Sequence, residues 1–270
     1  MSAMPQEVTS IVEACKSATA RYQEAMVLTH QAQALTPGLS IWLRIEDELV
    51  GAFLDAERNA AKAIAEHMRR VLGPRGLPLP ADTFVDLMPE PLDRQERRAL
   101  ALRMVNRSEE APTTIDLESL WHAMLARFPS EEAAHDVARF ALAKRFREAF
   151  FGRRYPAPEP HRDGIKMKLH ASQDGYWLKQ MQYSDYSANQ LFAGLDLIAA
   201  IAEDAGQSVP VGRVRDWRHE RPYLPHQRLD IGAVQVVCRK HYFELQLARD
   251  LSRAVNLFLA SHPPHAAEAA

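Results

Sequence analysis

Apolar residues recur along the first half of the chain at three- and four-residue steps, the period of an amphipathic helix. Ile11, Cys15, Ala18, Tyr22, Ala25, Met26 and Thr29 form one such stripe. Thr36-Pro-Gly-Leu39 interrupts it, because proline lacks a donor and glycine relaxes the backbone. A second stripe runs through Ile45, Leu49, Phe53, Ala56, Ala60, Ile64 and Met68, with Glu66 and Arg70 placed to pair on the wet face, and Gly73-Pro74 stops it. Two long amphipathic helices joined by a short break predict an antiparallel helical hairpin. The proline- and glycine-rich stretch 73–92 predicts an irregular connector. Three further helices are predicted near 93–106, 116–128 and 131–151, the last capped by Ser130 with Glu131 and Glu132 in its first turn.

Past Tyr155-Pro-Ala-Pro-Glu-Pro160 the period changes from 3.6 to 2. Ile165, Met167 and Leu169 alternate with Lys166, Lys168 and His170, the mark of a half-buried strand. Asp174-Gly175 predicts a hairpin turn, with a return strand from Tyr176 to Tyr183. A helix follows from Ser184 or Asp185, carrying Leu191, Phe192, Leu195, Ile198 and Ala202 and closed by Gly206. Ile231–Cys238 and Tyr242–Leu247 predict a second hairpin, and Asp250 begins a final helix. The predicted class is α+β: a helical front half over 1–155, an α+β domain over 161–262 made of two hairpin–helix units in one antiparallel sheet, and a frayed tail over 263–270.

The chain has 270 residues, 47% apolar and 25% charged, which excludes wholesale disorder and a disulfide-stapled miniature. Cys15 and Cys238 stand far apart without ligand partners, and the start of the chain shows no cationic segment leading into an apolar run. Free thiols in a reducing cytoplasm, with no membrane attachment, are the expectation. Residues 1–135 carry 14 Lys and Arg against 20 Asp and Glu, a net of −6, whereas 136–270 carry 19 against 15, a net of +4. Any polyanion contact is therefore expected in the back half.

Phosphate-binding loops, a nucleophile elbow, H-E-x-x-H and paired C-x-x-C are absent from the sequence, so no catalytic residue or cofactor is predicted. Chemistry concentrates instead in the loop 213–228. Arg213, Arg215, Arg218, Arg221 and Arg228 are interleaved with Trp217 and Tyr223. Guanidinium groups pair with phosphates and aromatic faces stack on bases, which makes these residues, with Lys166 and Lys168, candidate nucleic-acid contacts. The competing reading has Asp216 and Glu220 neutralising the loop and Trp217 in the core. His219 and His226 are candidate metal ligands for a hydrolase or nuclease, the alternative from a different class. A third reading is a protein-interaction module, acting on a partner or a second copy through the N-terminal helices.

The closing stretch, from Leu229-Asp-Ile-Gly232 through Asp250-Leu251 and Asn256, resembles the end of the bacterial family called domain of unknown function 4942. Arg239-Lys-His241 stands where that family usually has an Asn-Gly-type turn. The resemblance implies a setting on plasmids, prophages and other mobile elements, and carries no catalytic residues with it. Taken with the basic back half, the expected function is a non-catalytic accessory or regulatory protein that contacts nucleic acid.

Overall fold

The computed structural model describes residues 4–36, 39, 41–74, 77–105, 113–151, 158–161, 164–174, 182–214, 217, 224 and 226–264. The class is α+β, helical in the front half and sheet-containing in the back half. The helices are α1 (Gln6–Leu35), α2 (Ile41–Leu72), α3 (Arg94–Val105), α4 (Leu117–Ala126), α5 (Glu131–Phe151), α6 (Asp185–Asp204) and α7 (Arg249–Ser261). The strands are β1 (Glu159–His161), β2 (Gly164–His170), β3 (Gln173–Asp174), β4 (Gln182–Tyr183), β5 (Arg228–Ile231), β6 (Val234–Cys238) and β7 (Tyr242–Leu247). Among the described residues no helix is long and apolar enough to cross a membrane.

Two compact units divide the chain. The first holds residues 1–72 and 79–134, and α1 and α2 pack side by side within it. Its buried seam runs through Val8, Val12, Cys15, Thr19 and Met26 on α1, rotated from the stripe the periodicity picks out, and through Phe53, Ala60, Ile64 and Met68 on α2. Glu57 is buried there too, and its carboxylate accepts from the backbone N–H of Thr114 at 2.9 Å and from the Thr114 hydroxyl. A buried carboxyl group is tolerated there because both oxygens are hydrogen-bonded.

The second unit holds residues 73–78 and 135–270. The division falls inside α5, upstream of the proline cluster at 156–160. The cause is the apolar face of α5: Leu142, Ala143, Phe146 and Phe150 are buried in one core with the strands, α6 and α7. Glu159 and Pro160, expected in a linker, form β1 instead; at a sheet edge a missing donor is tolerated.

The main sheet is antiparallel, in the order β1-β2-β7-β6-β5. The predicted strand over 165–169 is present, but its neighbours are β1 and β7, with Met167 opposite Leu245 and Lys168 opposite Glu244. Asp174 lies in a separate two-residue ladder, β3 with β4, whereas Gly175 of the expected turn and residues 176–181 of the expected return strand lie outside the described residues. The strand expected over 231–238 is broken by Gly232, whose φ of 64° makes a tight turn and adds β5 to the sheet. One sheet face, with Met167, Leu169, Val234, Val236, Phe243 and Leu245, is buried in the core that α5, α6 and α7 share. Alternation commits the other face to polar residues. Cys15 and Cys238 are both free and buried; burial pushes the Cys238 thiol up to about 11, against the opposing effect of the Tyr183 hydroxyl.

Candidate nucleic-acid interface

The polar sheet face is built strand by strand from the same alternation. Glu159 on β1 stands opposite Lys166 on β2, and Lys168 stands opposite Glu244 on β7. The Glu159 carboxylate takes both lysines: Lys168 Nζ lies 2.9 Å from Oε1 and Lys166 Nζ 3.0 Å from Oε2. Hydrogen bonds from Lys168 and then Lys166 hold the Glu159 carboxyl below its ordinary range, and the bond to Glu159 raises Lys166. Lys168 also sits 5.7 Å from the centre of the Tyr242 ring. Both lysines are placed on this face as the sequence predicts, but a carboxylate already holds them.

Glu244 is buried in the middle of the face, 6% exposed. Gln246 Nε2 donates to its Oε1 at 2.6 Å, and Arg239 Nη2 lies 3.8 Å from its Oε2. The same guanidinium donates through Nη1 to His226 Nδ1, so that ring nitrogen is an acceptor and the proton sits on Nε2. His226 holds a φ of 63°, and its backbone N–H donates to the Cys238 carbonyl at 3.1 Å. This brings the approach to β5 against the end of β6.

Basic groups gather where β6 turns into β7. Arg239, Lys240 and His241 form that turn, closed by the Arg239 N–H donating to the Tyr242 carbonyl at 3.0 Å. His170 ends β2 opposite Tyr242, and the Ala171 N–H donates to the His241 carbonyl at 2.9 Å. Arg228 begins β5 opposite Val237. Arg228, Lys240, His170 and His241 are exposed, and among the described residues neither Arg228 nor Lys240 has an ion-pair partner. Lys240, His241 and His170 are not among the nucleic-acid contacts that the sequence predicts. For Lys240 and His241 the signal lies in three consecutive basic residues, Arg239-Lys-His241, between two predicted strands.

The other candidates are distributed differently. Arg213 is exposed on a 3-10 turn, Val211–Val214. Trp217 is not a surface stacking platform: it is 8% exposed, with ring centres of Tyr183 and Phe243 5.9 Å away and Phe192 at 6.4 Å. Its Nε1 donates to Gln227 Oε1 at 3.3 Å, so the indole fixes the residue that precedes Arg228. The aromatic core offers the indole more burial than a loop surface could, which decides between the two readings of this residue. Arg215, Arg218, Arg221, Tyr223 and His219 lie outside the described residues. Among the described residues no three His, Cys, Asp or Glu side chains converge to hold a metal ion, and His226 is engaged by Arg239.

A groove of about 660 Å³ runs along α6 and α7, lined by Arg139, Asp204, Asp250, Arg253, Leu257 and His262. Its walls mix both signs of charge, and Asp204 holds Arg139 at 3.1 Å. The chain matches no family model, no curated protein and no solved structure.

Proposed function

We propose that this protein is a non-catalytic accessory or regulatory factor that binds nucleic acid through the basic end of its C-terminal sheet. The setting is the mobile element that the resemblance of the closing stretch implies. The observation that carries the reading is the gathering of Arg228, Arg239 and Lys240 at the ends of β5, β6 and β7, beside His170 and His241. Of the carboxylates on the face near them, Glu244 is buried and already bonded, and Asp230 accepts from Gln235 Nε2 at 2.7 Å. Such a cluster suits phosphates, because each phosphate neutralised releases condensed counterion. The two cations without an ion-pair partner among the described residues, Arg228 and Lys240, predict that duplex affinity falls about 12-fold between 50 and 200 mM salt.

Titration of labelled oligonucleotides at the two salt concentrations tests this. Replacing Arg228 and Lys240 together with alanine is expected to lower the log–log salt slope by about two, with the fold intact because both side chains are exposed. Lys166→Ala is expected to change the slope far less, since Glu159 already holds that cation. A wild-type slope of zero, or a slope unchanged in the folded double variant, sinks the proposal.

A further inference from the structure

We propose that binding at this sheet end is coupled to proton uptake by His170 and His241, so that the protein grips nucleic acid more tightly as the pH falls through the histidine range. The inference rests on the nucleic-acid reading above and gives that same site a regulatory property. Both imidazoles are exposed and flank one turn: His170 ends β2 opposite Tyr242, and the His241 carbonyl accepts from Ala171.

The charges around them decide the sign. From β2 come Lys166 and Lys168; from the turn come Arg239 and Lys240; from β5 and its approach come His226, Arg228 and Asp230; from β7 come Tyr242 and Glu244; and from β1 come Glu159 and His161. Every carboxylate in that set has a partner among the described residues. Glu159 takes Lys166 and Lys168, Glu244 takes Gln246 and Arg239, and Asp230 accepts from Gln235 Nε2 at 2.7 Å. A phosphate backbone laid across the turn brings negative charge to both rings and favours their protonated form.

His226 is not part of the coupling. Its Nδ1 accepts from Arg239, and protonating that nitrogen would set two cations against each other. The protons therefore go to His170 and His241. Each has a higher affinity for its proton in the complex than in the free protein. By linkage, binding takes up protons and weakens as the pH rises through the bound-state values. If each ring moves upward by about one unit, affinity at pH 5.5 exceeds that at pH 7.5 by at least about tenfold.

Fluorescence anisotropy with a rhodamine-labelled oligonucleotide, at constant low salt and between about pH 5.5 and 7.5, reads this directly. Calorimetry in buffers of different ionisation enthalpy counts the protons taken up. The wild-type protein is expected to show the tenfold ratio with net proton uptake, and the folded variant His170→Gln with His241→Gln to bring the ratio toward one. Binding that is present but flat with pH, or a ratio that survives in the double variant, overturns the coupling and leaves the nucleic-acid reading standing. Absence of binding at every pH overturns both.

Discussion

Gly164 opens β2 where a side chain has no room: an added Cβ would stand 1.9 Å from the Leu247 carbonyl oxygen and 2.9 Å from Ser252 Oγ. Neither atom can step aside cheaply. The carbonyl belongs to the paired strand β7, and the Ser252 hydroxyl accepts from the Ile165 N–H at 3.0 Å while donating to Leu247 at 3.2 Å. Gly164→Ala is therefore expected to force β2 away from β7 and cost about 1–3 kcal/mol, seen as a lowered midpoint in denaturant unfolding. A variant as stable as the wild type would show that the strand end can shift freely. At this scale the sequence gives less than at any other. Trp217 stands among arginines in a loop without periodicity, and nothing in such a stretch states whether an indole faces water or a core. Its burial comes from Tyr183, Phe192 and Phe243, which are remote along the chain.

Elements were far more legible, because each announces itself locally. Asp116 shows the mechanism at the start of α4. Its Oδ1 accepts from the N–H groups of Glu118 at 3.1 Å and Ser119 at 3.0 Å, and its Oδ2 from the Ser119 hydroxyl at 2.6 Å. These bonds, the Ser119 hydroxyl first, hold the Asp116 carboxyl below its ordinary value. A depressed carboxyl contributes stability above its unfolded-state pKa, near 4, and loses it as the pH falls through the folded-state value. Asp116→Ala is expected to cost about 1 kcal/mol at neutral pH and to narrow that gap under acid, measured by urea melts at the two conditions. A constant difference across the acid range would assign the loss to something other than the cap. What elements cannot announce is their partners. Alternation identifies the buried face of 164–170, but the pairing with 242–247 is a long-range event that no local pattern encodes. For the same reason the candidate interface was legible as a basic back half, while the meeting of Arg228, Lys240 and His170 was not.

Across the whole chain, the acidic and basic halves follow the two compact units closely, with the change of sign near the division in α5. The side that α5 takes is testable. Phe243→Ala, which empties a fully buried position, is expected to weaken the C-terminal core by about 3–5 kcal/mol. In native-state hydrogen exchange, amides of residues 142–150 should then lose protection together with β2, β6 and β7. Protection there that follows α1 and α2 instead would return the division to the proline cluster. The order β1-β2-β7-β6-β5 has a further consequence for the molecule's neighbours in a crowded solution. A sheet that ends in free strands invites accretion of foreign strands. Here one border is a three-residue strand interrupted by Pro160, which cannot donate, so that border does not template fibril growth. The opposite border, β5, sets Arg228 and Asp230 outward along four residues, a charged and short rim. The C-terminal unit thus carries a guard against self-templated aggregation at both margins of its sheet.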